Sequence, residues 1–188
     1  MSSTVLNAIK LVEEDKHRVG SLNDFRKNLV NLGAKCAETT KDKVENYSIV
    51  ELGFEADGDQ ERTFKYLTDG TKKGYLVAAV EDYLDEFGEN VGNFYIVKDE
   101  RARIVVQDEG MHFEVSGYEL ADSDADTYPL KNGLGAYWDA TKNNYVIVNN
   151  AGSAPADYAT AGNKFIVVDY DGNIYDGQQT IRLEVSNN

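Results

Sequence analysis

Carboxylate side chains are the residues of this sequence whose spacing comes closest to that of a chemical site. Asp122, Asp124 and Asp126 alternate along one segment, and Asp169, Asp171 and Asn173 alternate along another. Oxygen ligands of this kind suit Ca²⁺, but a calcium-binding loop also carries glycine at its sixth position and glutamate at its twelfth. Neither segment has these residues at those positions. We therefore expect solvated acidic loops without a bound metal, and a weak Ca²⁺ site is the alternative.

The sequence lacks the residue patterns that usually support nucleophilic catalysis. Cys36 is the only cysteine, and His17 and His112 are the only histidines. The chain contains neither a Gly-x-Ser-x-Gly segment nor a glycine-rich phosphate-binding motif. Two histidines without metal-ligand spacing do not predict a zinc site. We therefore predict a protein that is not an enzyme and that binds no cofactor, with Cys36 as a small packing residue.

Aromatic side chains are abundant, with 12 Tyr, 7 Phe and 1 Trp. Such residues suit either the packed faces of β-sheets or a recognition surface. We expect most of them to pack within sheets. A platform around Trp138 on which sugar rings stack is the alternative.

The formal net charge of −14 over 188 residues restricts the partners of the chain. This charge opposes direct binding to nucleic acid and to anionic membranes, and it favours a basic partner or a role on an exposed surface. No stretch approaches the ~18 consecutive apolar residues of a membrane-spanning helix. A soluble protein made in a cytoplasm is therefore expected.

The first 45 residues differ from the remainder because their acidic and basic residues nearly balance. Apolar residues recur there at helical spacing, which predicts two short amphipathic helices. The two stripes contain Val5, Ile9 and Val12, then Phe25, Leu29 and Leu32. Short helices of this kind need a surface on which to bury their apolar side. Residues 1–45 are therefore predicted to form a helical arm whose stripes contact either the body of the chain or a partner.

Residues 46–188 are predicted to form a β-rich body with one helix. Alternation across 50–54 and 64–66 indicates a hairpin. Helical spacing of apolar residues predicts an amphipathic helix containing Leu76, Val80, Leu84 and Phe87. Further strands are expected at residues 93–98, 101–106, 111–115, 136–139, 145–149, 164–168 and 180–185. Short strands with turn-rich connections favour an antiparallel β-sandwich or a small barrel, so the predicted fold class is α+β.

The last strand has the clearest pattern. Ile181, Leu183 and Val185 alternate with polar residues, so these three side chains are expected to face the core.

Six segments carry a resemblance to a known class of proteins. They are residues 72–78, 101–106, 111–116, 130–133, 136–140 and 164–185. Their layout resembles that of structural proteins of tailed-bacteriophage virions, especially small β-rich head or capsid-decoration proteins. In those proteins a polar turn with glycine leads into paired strands, and the closing strand has the form Ile-Arg-Leu-Glu-Val, as in residues 181–185 here. The resemblance covers about residues 70–185 and carries no catalytic signature.

The resemblance implies a non-enzymatic virion protein that binds the shell of the major capsid protein, or other virion proteins, often as a homo-oligomer. We expect the arm to provide the anchor, with its lysines and arginines facing an acidic partner surface. Direct binding to nucleic acid or to a membrane is not expected. The alternative function is a receptor- or glycan-binding module on a phage or cell surface.

Overall fold

The computed structural model of the chain consists almost entirely of β-strands. The structure describes residues 18, 20–22, 31–39, 43–55, 61–79, 95–121, 130–148, 156–170, 174–175 and 178–186. Helix α1 (Ala156–Thr160) is the one helix within these ranges. The strands are β1 (Gly20–Leu22), β2 (Asn31–Cys36), β3 (Lys43–Glu45), β4 (Ile49–Phe54), β5 (Arg62–Tyr66), β6 (Tyr75–Val77), β7 (Tyr95–Val97), β8 (Arg101–Val105), β9 (His112–Val115), β10 (Tyr118–Leu120), β11 (Gly135–Asp139), β12 (Asn144–Val148), β13 (Lys164–Asp169), β14 (Ile174–Tyr175), β15 (Gln178–Gln179) and β16 (Ile181–Ser186). Valine, isoleucine, tyrosine and phenylalanine are common in them because these residues fit a pleated, half-buried surface.

Five strands close into a small barrel in the order β2–β5–β4–β6–β8. Strand β2 pairs antiparallel with β8 and parallel with β5, so it joins the two ends of the barrel. Strand β8 illustrates the alternation that builds the barrel, because Ala102 and Ile104 are buried while Arg101 and Arg103 are exposed.

Seven strands form a larger sheet in the order β1–β9–β16–β13–β11–β12–β10. Strand β16 lies inside this sheet and pairs antiparallel with both β13 and β9. Ile181, Leu183 and Val185 are buried, and the residues between them are half-buried. The predicted core-facing side of the last strand is therefore confirmed. The remaining pairs, β3 with β7 and β14 with β15, form two small ladders.

One hydrophobic core joins the barrel to the sheet. The sheet contributes a group of aromatic rings in which Phe165 lies edge-on to Phe113 and Tyr145, with centroid distances of 5.6 and 5.3 Å. Each such pair adds about 0.5–1.5 kcal/mol to the stabilisation from burial. Because buried side chains of both sheets belong to the same cluster, the barrel and the sheet stabilise each other.

The predicted N-terminal helical arm is wrong, because the described part of residues 1–45 contains three strands and no helix. Strand β1 pairs with β9, β2 closes the barrel, and β3 pairs with β7. The helical spacing that includes Leu32 is overridden by a second pattern, in which Leu32, Ala34 and Cys36 alternate with period two. That alternation places Ala34 and Cys36 in the core, with Leu32 packed against it.

The predicted α+β class is also wrong, because the described structure is nearly all β. The helix expected from Leu76 onward begins instead as strand β6, in which Leu76 is fully buried. Val80, Leu84 and Phe87 lie outside the described residues. The seven strands predicted after residue 93 are present as β7, β8, β9, β11, β12, β13 and β16. The sheets are mixed, because β10 runs parallel to β12.

Candidate functional site

The six residues predicted to anchor the chain to a partner are described only in part. Val5, Ile9, Val12, Phe25 and Leu29 lie outside the described residues. Leu32 lies in β2, where it is half-buried against the core and pairs in register with Ile104 of β8. The contact role of these residues stays a prediction.

The basic residues of the first 45 that the structure describes contact their own chain. Lys35 donates a hydrogen bond of 2.6 Å to the Glu55 carboxylate and lies 3.3 Å from Asp99. The ammonium group of Lys43 lies over the Tyr95 ring, 3.5 Å from its centroid. These interactions differ from the expectation that such residues face an acidic partner.

Most of the alternating carboxylates singled out in the sequence also fall outside the described residues. They are Asp122, Asp124, Asp126, Asp171 and Asn173. Asp169 is described and lies at the end of β13. Within the described ranges, no group of three or more His, Cys, Asp or Glu side chains could hold a metal ion.

The residues considered for nucleophilic or sugar-binding chemistry are buried or paired within the fold where the structure describes them. Cys36 is fully buried, and burial raises the pKa of its thiol, so the reactive thiolate is disfavoured. The His112 ring contacts the Glu184 carboxylate at 2.6 Å across β9 and β16, in a half-exposed pair. His17 lies outside the described residues. Trp138 is only 1% exposed, which removes it as a platform for stacking sugar rings.

Arg18 occupies the junction between the barrel and the sheet and is only 4% exposed. On the barrel side, Nη1 donates a hydrogen bond of 2.6 Å to Ser48, just before β4. On the sheet side, Nη2 donates bonds of 2.9 Å to the Asn143 carbonyl and 3.3 Å to the Asn144 side chain, at the β11–β12 turn. The Glu45 carboxylate lies 3.5 Å away. One buried charge therefore ties both halves of the fold together.

Aromatic rings and a glycine complete the surroundings of this guanidinium. It lies over the rings of Trp138 and Tyr145, 5.2 and 5.6 Å from their centroids, which favours a cation in a site with little water. A Cβ atom at Gly117 would lie 2.2 Å from Arg18 Nε, so a larger residue there would displace the Arg18 side chain. The Tyr145 hydroxyl donates a hydrogen bond of 2.8 Å to the Tyr47 carbonyl. Burial raises the pKa of Tyr145 far above its usual range, so this donor stays protonated.

A second polar contact ties the sheet to the barrel through Asn163, which is buried. Its side chain accepts a hydrogen bond of 2.8 Å from the Gly74 amide and donates one of 2.8 Å to the Lys72 carbonyl. Gly162 approaches the same loop so closely that a Cβ atom there would lie 2.3 Å from the Lys72 carbonyl carbon. The two polar contacts therefore help to fix the orientation of the barrel on the sheet.

A cleft of about 240 Å³ lies between residues 68–71 on the barrel side and β11 and α1 on the sheet side. Tyr137, Asp139, Asp157, Thr68, Thr71 and Thr160 are among its lining residues. Tyr137 is 6% exposed and packs edge-on against Tyr158, with a centroid distance of 6.2 Å. Burial raises the pKa of Tyr137, and the nearby charges of Asp139 and Asp157 raise it further. The lining is therefore hydroxyl-rich and acidic.

Sequence reasoning missed both junction residues and this cleft. In the sequence alone, Arg18 is one more basic residue of the N-terminal segment, and nothing distinguishes Asn163 from a loop residue. Both bond to residues 30 to 126 positions away, a separation that no local pattern reveals. Gly117 and Gly162 are the only local signals, because close backbone approach favours glycine.

Comparison with known proteins places the chain among prophage proteins. A model of the YonC prophage protein family matches residues 13–186. The chain is also similar to the SPbeta prophage-derived uncharacterized protein YonC of Bacillus subtilis (strain 168), with 36% identity over 179 residues that cover 93% of this chain and 94% of that protein. No solved structure matches. No helix within the described ranges has the length and apolarity to span a membrane. Because both sequence matches extend over nearly the whole chain, it belongs to the YonC prophage protein family.

Proposed function

We propose that this chain is a non-enzymatic structural protein of a temperate-phage virion that binds the shell formed by the major capsid protein. The observation that carries the proposal is the pairing of a prophage family with a nearly all-β body whose two halves share one core. A body of this kind suits a building block that must keep its shape on a particle surface. The proposal includes no cofactor and no catalytic step, and it places the protein in the virion, as a homo-oligomer.

The ionisable groups of the described residues support a structural role. The buried carboxylate of Glu114 accepts hydrogen bonds of 2.6 and 3.2 Å from the guanidinium of Arg182 on the neighbouring strand β16. The buried Glu38 carboxylate accepts a hydrogen bond of 3.1 Å from the Tyr66 amide. Carboxylates held in this way fix strands and loops, which is what a structural protein requires of them.

Attachment to the shell is assigned to apolar residues of the N-terminal segment. Val5, Ile9 and Val12 would bury apolar surface on the partner, and Phe25 and Leu29 would extend that contact, whereas Leu32 packs against the core of its own chain. Because burial of apolar surface is insensitive to salt, we expect attachment to weaken only modestly as ionic strength rises. The net charge of −14 would disfavour direct contact with the packaged nucleic acid.

Co-sedimentation with capsids that lack this protein tests the proposal, at two ionic strengths. The full chain is compared with a form lacking residues 1–12, which retains Arg18 and all of the region matched by the family model. The matched control is Phe54→Ser, which removes an exposed apolar side chain outside the proposed contact. We expect the full chain and the control to sediment with capsids, and the shortened form to remain in solution.

Two other results would be decisive. If no form sediments with capsids, the assignment to the capsid shell is wrong. If the shortened form sediments as well as the full chain, attachment does not depend on Val5, Ile9 and Val12. The receptor- or glycan-binding alternative receives no support from Trp138, because that side chain lies in the core.

A further inference from the structure

Polar groups line the cleft between residues 68–71 and strand β11, and the fold uses only some of them: Asp139 Oδ1 accepts hydrogen bonds from the Thr141 and Lys142 amides. The Tyr137 side chain is more than nine-tenths buried and lines the cleft, yet its hydroxyl has no hydrogen-bond partner among the described residues. The hydroxyl is not among the fully buried polar atoms of the described residues, so a hydrogen-bond donor that enters the cleft can reach it.

The charge of the cleft favours a cation. Asp139 and Asp157 both line it, and among the described residues no basic side chain bonds to the Asp157 carboxylate. The basic residues near the cleft are engaged elsewhere. Lys142 pairs with Glu119, Lys72 with Asp69, and Lys164 donates to the Ala159 carbonyl. The net charge of −14 adds a long-range attraction for cations.

The size of the cleft restricts what can enter. Its volume of about 240 Å³ is below the ~300–1,000 Å³ of sites for small organic ligands, but it accommodates one long side chain. The threonine hydroxyls of Thr68, Thr71 and Thr160 line the walls and could accept further hydrogen bonds from a donor. An ammonium or guanidinium group has donors only, so it matches a lining of carboxylate and hydroxyl oxygens.

We propose that this cleft binds the basic head group of a lysine or arginine side chain presented by a partner protein. The side chain enters between the barrel and the sheet, its charge meets Asp157 and Asp139, and it donates a hydrogen bond to the Tyr137 hydroxyl. This inference goes beyond the proposed attachment through the N-terminal residues, and it does not depend on which virion protein is the partner.

NMR titration of the isotope-labelled full chain tests the inference. The probes are Nα-acetyl-lysine methylamide and its arginine analogue, with the uncharged norleucine analogue as control and N-acetylglucosamine as a sugar probe. We expect both basic probes to shift the amide signals of residues 137–141 and 157–161 at roughly millimolar concentrations. The norleucine and sugar probes should leave those signals in place. Added salt should weaken the effect of the basic probes.

Three single-atom changes make the test specific. Asp157→Asn should weaken binding of the lysine probe by up to about fivefold, as expected for an exposed charge pair. Tyr137→Phe should weaken it too, by loss of the hydroxyl acceptor. Asp108→Asn, which removes an exposed carboxylate outside the cleft, should leave the affinity unchanged. Spectra of all three variants show directly whether they are folded.

The inference is overturned if norleucine shifts the cleft signals as strongly as lysine, because the site would then be apolar. It is also overturned if Asp108→Asn weakens binding as much as Asp157→Asn, because net charge alone would explain the effect. Shifts by the sugar without shifts by the basic probes would identify a polyol site instead. None of these results bears on sedimentation with capsids, so the two proposals fail separately.

Discussion

Arg18 carries a positive charge into the junction between the barrel and the sheet, where little water can solvate it. A buried charge is tolerated only when hydrogen bonds and opposite charges replace its hydration. Ser48, Asn143 and Asn144 supply those bonds, and Glu45 supplies the opposite charge. Because these partners belong to both halves of the fold, loss of the guanidinium removes contacts on both sides at once.

We expect Arg18→Ala to lower the free energy of unfolding by about 3–5 kcal/mol, because the change leaves buried acceptors without their donor. The control is Arg101→Ala, whose side chain is 77% exposed and pairs with Glu61 at the surface. That change should cost less than about 1 kcal/mol. Urea unfolding followed by circular dichroism measures both. Equal effects of the two changes would show that Arg18 does not hold the junction.

Burial of Tyr145 makes the free energy of unfolding depend on pH in the alkaline range. Its pKa in the folded chain is raised by burial, so the folded state keeps the proton while the unfolded state loses it above about pH 10. This contribution to stability is complete below about pH 10 and decreases above it, by up to about 1.4 kcal/mol per pH unit. Tyr145→Phe should make that decrease shallower, at a cost of about 1–2 kcal/mol near neutral pH from the lost bond to Tyr47. Urea midpoints measured across the alkaline range provide the test, and an unaltered slope in the variant would contradict it.

At the scale of elements, two glycines differ in how closely other parts of the chain approach them, and this difference shows which contacts between elements are tight. A Cβ atom at Gly162 would collide with the backbone at Lys72, whereas one at Gly33 in β2 would have nothing within 4 Å. Gly162→Ala should therefore force the loop before β13 away from the barrel and cost about 1–3 kcal/mol.

Gly33→Ala is the matched control for this prediction. It should be neutral or stabilising by up to about 1 kcal/mol, since alanine restricts the unfolded chain. Urea midpoints of the two variants measured side by side provide the comparison. A destabilising effect at Gly33 equal to that at Gly162 would mean that the approach of the loop is not the cause.

The sequence predicts the elements well where a strand carries its own pattern. Strand β16 alternates without interruption, and the predicted strand at 180–185 agrees with Ile181–Ser186 to within one residue, because burial on one face selects a period of two. The first 45 residues show competing periods. There the helical spacing that ends at Leu32 misleads, since β2 is fixed by pairing with β5 and β8, far along the chain. Long-range pairing of this kind overrides local preference.

The candidate cleft could not be predicted for a related reason. A turn, a strand and a loop separate Asp139 from Asp157 in the sequence. Neither residue forms a recognisable motif with Tyr137. Their proximity arises because α1 returns to the end of β11 and the 68–71 segment covers both. Only the tertiary fold brings these oxygens together.

The whole molecule should unfold in one step, because the larger of its two hydrophobic clusters extends through both the barrel and the sheet. Trp138 is the only tryptophan and lies under Arg18 at the junction, so its fluorescence reports on that region alone. Circular dichroism reports on the strands of both halves. The two signals should give coincident urea transitions. A fluorescence change at clearly lower urea than the loss of strands would mean that the halves separate first.

The place of β16 inside the larger sheet has a consequence for synthesis of the chain. The barrel uses strands that end at Val105, so all of its parts have been synthesised when little more than half of the chain has been made. The sheet is different, because β9 and β13 meet only through β16, and β16 ends at Ser186. Until translation passes that point, β9 and β13 each present an unpaired edge. Those edges are the surfaces on which incomplete chains would associate, so the speed at which the last residues follow decides how long the nascent chain is exposed to aggregation.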